Sequence, residues 1–192
     1  MKLSGSSQTS HKRLTFERTK DSSVLSNFSC GITALDTFIH NELQDYLDMG
    51  SCNLFTVKDD DIIVAMFCLE NSNLTLSESA KESMREGRKP IPDGIPVSSD
   101  DFYWLKPMYE ATEITYLAVS FDRQHNHIGS TIIENIMRRI GNHKEYTGDF
   151  VIVRALNTQE YSAIPFYRKC GFIPATAEVE GANLFMYRIV KK

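Results

Sequence analysis

The stretch SFDRQHNHIGSTIIENI, residues 120–136, gathers Arg123, Gln124, His125 and His127 just ahead of an amphipathic helical pattern. A helix start presents backbone N–H groups without intrahelical partners and a partial positive charge, so it suits an anion. Cations placed before such a start, with no acidic capping residue, predict a negative group bound there. The turn lacks the Gly-Lys-Ser of a P-loop. The chemistry it implies is therefore anion binding by backbone donors. His125 and His127 are read as loop histidines, and no metal is expected.

The elements that must hold this turn follow from periodicity. EITYLAV (113–119) reads as a strand leading into it. The segment 128–141 reads as a helix leading out, with Ile132, Ile133, Ile136, Met137 and Ile140 on one side. Upstream, RLTFERTK (13–20) alternates as a half-buried strand does. The segment 32–50 places Leu35, Phe38, Ile39, Leu43, Tyr46 and Leu47 at helical spacing, stopped by Gly50. Residues 53–70 read as a hairpin with an acidic turn at 59–61. A solvated helix is expected over 77–89, an irregular Pro/Gly loop over 89–101, and aromatic FYWL at 102–105 beside it. DFVIVRAL (149–156) is a buried strand, SAIPFYRKCG (162–171) a short helix with Pro165 in its first turn, and LFMYRIV (184–190) a terminal strand.

Composition sets the bounds. The chain has 192 residues, 42% hydrophobic and 24% charged, which suits one soluble domain with a sizeable core. Residues 1–10, MKLSGSSQTS, are polar and lack an apolar signal-peptide core, so they read as a disordered start before a domain at 11–192. The apolar run IIVAMFCL (62–69) is far too short to span a bilayer and reads as a buried strand. A cytoplasmic location and no membrane partner are expected. A net charge of −4 argues against a broad nucleic-acid surface. Cys30, Cys52, Cys68 and Cys170 show no CxxC spacing and read as reduced core thiols.

A second marker, FYRKCGF (166–172), follows the anion turn by some forty residues. Together the two resemble the GNAT superfamily of acyl-CoA N-acyltransferases. In that family a Leu-Ala-Val-like triplet precedes Gln/Arg-x-x-Gly-x-Gly/Ala, a helix, a strand, and a helix ending in Tyr-x-x-x-Gly-Phe. Here these are Leu117, Ala118 and Val119; Gln124, His125, Asn126, His127, Ile128 and Gly129, followed by Ser130; and Tyr167 through Gly171 and Phe172. The resemblance implies an α+β GNAT fold: a mixed, mostly antiparallel central sheet with helices on both faces. It implies acetyl-CoA as cosubstrate, held by those residues and by Asn157, and transfer of its acetyl group to a primary amine. His127 departs from the pattern, which has glycine there. Its backbone N–H can still donate, provided its φ is negative. With Arg123 its side chain would add a contact to phosphate, and a Val in place of Gly129 would crowd the pyrophosphate.

The resemblance also assigns roles. A backbone N–H of Leu117 or Val119 polarises the thioester carbonyl, and Tyr167, a phenol with pKa near ~10, protonates the leaving thiolate. EITYLAVS is similar to the matching strand of the histone-acetyltransferase branch, whose glutamate stands at Glu113, the implied base. Strand alternation puts Glu113 on one face with Thr115, Leu117 and Val119. Glu160 stands where many members carry an Asn that contacts CoA. FSCGITALDTF (28–38) is similar to a motif of GNAT toxins that acetylate aminoacyl-tRNA, which makes tRNA a minority substrate for an acidic chain. A non-catalytic CoA-binding module is the rival reading. A homodimer is left open.

Overall fold

The computed structural model describes residues 14–76, 108–142 and 148–190, with backbone alone at 176–180. The expected disordered start, the helix at 77–89, the loop at 89–101 and the aromatic stretch at 102–105 lie outside the described residues.

A seven-stranded sheet forms the centre, in the order β1-β2-β3-β4-β5-β7-β6. The strands are β1 (Thr15–Thr19), β2 (Asn53–Asp59), β3 (Ile62–Leu74), β4 (Tyr109–Val119), β5 (Phe150–Leu156), β6 (Ile173–Glu180) and β7 (Asn183–Ile189). Every neighbouring pair is antiparallel except β4 and β5. A parallel pair needs a long crossover, and α3 (Ile128–Asn142) supplies it. The other helices are α1 (Thr33–Asn41) and α2 (Leu43–Asp48), between β1 and β2, and α4 (Ile164–Lys169) after β5.

Each face of the sheet carries its own helices. Leu54, Met66, Cys68 and Ala118 pack with Phe38, Ile39 and Leu43 of α1 and α2. Phe67, Leu69, Ile114 and Val153 pack on the opposite face with α3 and with Tyr167 and Cys170 at α4. Cover on both faces explains the unbroken apolar run of β3: Val64, Ala65, Met66, Phe67 and Cys68 are all buried. The five α3 residues expected to face inward are all buried. Ile132 and Ile133 are 0% exposed, each worth roughly 1.5–3 kcal/mol of apolar transfer.

Two elements depart from the sequence reading. The single helix expected over 32–50 is broken at Glu42, whose φ of −122° leaves the helical region while its N–H still bonds Phe38 O. Ile39, Leu43 and Leu47 recur every four residues, a spacing that drifts by about 40° per step around a straight helix. The break turns Leu43 back to full burial. Strand β6 was not expected at all. Its IPATAEVE sequence has a proline as its second residue and its pairing shifts between Pro174 and Val179, both features of an edge strand that blunt a period-two signal. No helix among the described residues is long and apolar enough to cross a membrane.

Candidate active site

Strands β4 and β5 pair from Ala111↔Phe150 to Ile114↔Val153 and then part. Both continue beyond that point, to Val119 and to Leu156. The parting coincides with a bulge. Opposite β3, Leu69 pairs with Ile114 but Cys68 pairs with Tyr116, so Thr115 is an extra residue on β4. Its buried Oγ1 has no hydrogen-bond partner among the described residues. Past Ile114, the backbone of β4 on its β5 side faces an opening rather than a strand. Leu117, Ala118 and Val119 line this edge, and Asn157 directly follows β5, its N–H bonded to Ala182 O at 2.7 Å.

The bulge corrects the expected placement of Glu113. Alternation runs in step only while no residue is inserted. The extra Thr115 keeps Ile114, Leu117 and Val119 on the α3/α4 face and sends Glu113 to the other, with Tyr116 and Ala118. Glu113 is 3% exposed. Its carboxylate accepts from Arg154 Nε at 3.1 Å and from Ser72 Oγ at 2.9 Å. Glu70 stands opposite it on β3. Burial, then the charge of Glu113, raises the Glu70 pKa, and Arg154 partly offsets this.

The loop after β4 holds a second correction. His127 has φ 61° and His125 φ 63°, both in the left-handed region, so the negative φ on which donation by the His127 N–H was made conditional is not met. His127 thus keeps the backbone shape that glycine takes cheaply, at roughly 1–2 kcal/mol of local strain. Its carbonyl begins α3, accepting from Thr131 N at 3.0 Å and Ser130 Oγ at 2.8 Å. The amides of Ile128, Gly129 and Ser130 precede the first intrahelical N–H bond and point out of the helix end.

The side chains of this loop do less than its charge suggested. Gln124 turns inward, its Nε2 donating to Cys30 O at 2.7 Å and Val119 O at 3.1 Å. Asn126 Nδ2 donates back to Gln124 O at 3.2 Å. Arg123 meets Asp59 at 3.5 Å and Asp122 at 3.4 Å. Two carboxylates therefore compete with any phosphate for that guanidinium. His125 and His127 are exposed. A groove of about 1360 Å³ runs between β1 and α3 beside the loop, lined by Asn126, Ile128 and Arg138 among others, but not by Leu117, Asn157 or Tyr167. It borders the loop and not the opening.

The space beside Gly129 is taken by a ring. A Cβ there would lie 3.1 Å from two atoms of the Phe166 ring and 3.9 Å from Val119 Cγ2. Phe166 precedes Tyr167, and their rings touch edge to face at 5.0 Å. Gly129 thus lets the start of α3, the end of β4 and α4 converge. Tyr167 is 8% exposed, in the cluster that includes Leu117, Val119 and Ala155. Burial first, then neighbouring Tyr161 and Cys170, pushes its phenol well above the ordinary range, so it keeps its proton. Gly171, with φ 81°, closes α4 as the sequence implied. Glu160 is exposed on the loop between β5 and α4.

No protein-family model matches the chain, and no curated protein does. Solved structures do. A bacterial toxin crystal structure superposes with a TM-score of 0.66 at 14% identity, covering 93% of this chain and 92% of that one. A Tyr→Phe mutant of the toxin AtaT, bound to the C-terminus of the antitoxin AtaR and acetyl-CoA, gives 0.62 at 18% identity over 92% and 93%. AtaT complexed with acetyl-methionyl-tRNAfMet gives 0.62 at 20% identity over 90% and 94%. At these identities the shared property is architecture, and the chain has the GNAT fold that its motifs implied.

Proposed function

We propose that the chain is an N-acetyltransferase that moves the acetyl group of acetyl-CoA to a primary amine by direct attack. One observation carries the reading: β4 and β5 part after Ile114 and Val153, the free amides that start α3 follow the end of β4, and the ring of Tyr167 packs with Leu117 and Val119 of the parted edge. The left-handed His127 supports it, because the chain tolerates strain to keep a glycine-like turn ahead of α3.

When bound, acetyl-CoA supplies a thioester. The amides of Ile128, Gly129 and Ser130 are suited to its pyrophosphate. A backbone N–H of Leu117 or Val119, free of β5, can hydrogen-bond the acyl oxygen. Tyr167 gives its proton to the departing sulfur as the C–S bond breaks. Glu113, on the opposite face of the sheet, takes the proton of the attacking amine, directly or through water, as the C–N bond forms. Acid and base on opposite faces of an open sheet suit a reaction in which the amine enters from one side and the thiol leaves by the other.

The acceptor class has a second reading, aminoacyl-tRNA. It is favoured by the FSCGITALDTF motif and by the AtaT complex with acetyl-methionyl-tRNAfMet. A mass-shift assay with labelled acetyl-CoA, run against small amines, peptides and aminoacyl-tRNA, tests both. Product from one class names the acceptor. Acetyl-CoA binding without product in any class leaves a non-catalytic module and removes the enzyme. The proposed location is cytoplasmic, which cell fractionation tests.

A further inference from the structure

The motif FSCGITALDTF acquires a mechanical meaning from its hydrogen bonds. Asp36 lies in the first turn of α1, which is held in the core by Phe38 and Ile39. Its Oδ1 accepts from Cys30 N at 2.8 Å, and its Oδ2 from Ser29 Oγ at 2.6 Å and Gly31 N at 3.2 Å. Burial works against this carboxylate, but the bonds from Ser29, Cys30 and Gly31 outweigh it and hold the pKa below the ordinary value.

The segment so held grips the loop after β4 at three points. Ser29 O accepts from Phe121 N at 2.9 Å. Cys30 O accepts from Gln124 Nε2. The Phe121 ring fills the space where a Cβ on Gly31 would stand, 2.6 Å away, and Gly31 has φ 79°.

We infer that Asp36 is a positioning residue for acetyl-CoA: its carboxylate fixes residues 29–31, and these fix the loop that presents the amides at the start of α3. The inference rests on the CoA reading of that loop. A carboxylate is required because three donors converge on it, whereas an amide offers one acceptor oxygen and adds donors of its own.

Asp36→Asn tests this, with calorimetric binding of acetyl-CoA, steady-state kinetics and amide hydrogen exchange of the free protein. Expected are a rise of about tenfold in Kd and KM for acetyl-CoA, the scale of a lost hydrogen bond to a charged group, with kcat within about twofold. Exchange at 121–130 should quicken. Unchanged exchange in a folded variant overturns the inference, as does a fall in kcat at unchanged KM. Ser29→Ala removes one donor and should move the same readouts less far; if Asp36→Asn does not fold, unchanged loop exchange in Ser29→Ala overturns it. If the parent protein binds no acetyl-CoA, the proposed function falls while loop exchange still decides the clamp.

Discussion

Gly129→Val should destabilise the fold by overpacking, and the ring behind the residue sets the scale. A Cβ at this position stands 3.1 Å from Phe166 Cε2 and Cζ. Carbon pairs prefer roughly 3.5–4.0 Å, so the ring must retreat by several tenths of an ångström before the two γ-methyls are placed. Phe166 is partly buried and packs edge to face on Tyr167, whose ring meets Phe172 at 5.4 Å, so its retreat must disturb that packing. Overpacking of this kind costs about 1–3 kcal/mol, and the better helix propensity of Val returns only a few tenths. For a chain of this size, a loss of about 2 kcal/mol lowers Tm by roughly 4–8 °C. Gly129→Ala should be near neutral, since about 1 kcal/mol of helix propensity offsets the tight contact. Thermal unfolding of Gly129→Val, Phe166→Leu and the double variant checks the cause. The cost of Val should shrink once the ring is gone. An equal cost in both backgrounds would refute the packing argument.

Other substitutions separate the roles. Tyr167→Phe keeps the ring and removes the proton donor, so kcat should fall on the order of 10²-fold at nearly constant acetyl-CoA affinity; full activity would remove Tyr167 as the acid. The deficit of Glu113→Gln should shrink as pH rises, since hydroxide can replace a missing base, whereas the Tyr167→Phe deficit should persist; rate–pH profiles compare them. His127→Gly relieves left-handed strain at an exposed residue and should leave acetyl-CoA affinity within a few-fold if the backbone is the donor; a large loss measured by calorimetry would assign the contact to the imidazole. Glu70 has a folded-state pKa above its unfolded value, so its penalty is absent below the ordinary carboxylate pKa of about 4.3 and grows as pH rises through the folded value. Glu70→Gln should therefore raise Tm at neutral pH and converge with the parent in acid; equal melting curves at every pH would refute the burial of that charge.

Much of the site was legible in residue types. The inward face of α3 repeats at helical spacing, Pro165 and Gly171 bracket α4, and Tyr167 sits in a motif of fixed spacing. The polar partners were not legible. Gln124 lies 94 residues from Cys30, and Arg154 lies 41 from Glu113, so nothing local marks either pair. Arg123 looked like a free cation because Asp59 belongs to another strand.

Amino-acid order alone determined most helices and strands, though neither β6 nor the break at Glu42, because periodic burial writes itself into the apolar pattern. It determined the turn ahead of α3 and the presence of Tyr167 and Glu113. The tertiary structure decided which way those residues face. Side-chain direction in a strand alternates with a period of two, so the one extra residue at Thr115 reversed the side of Glu113 relative to Leu117 without any mark in composition. It also decided what Gly129 is for, since the ring it accommodates comes from a helix 37 positions later, measured from Gly129 to Phe166, and only packing brings them together. Pairing across a sheet and contact between helices depend on residues far apart in the chain, and those distances exist only once the chain is folded.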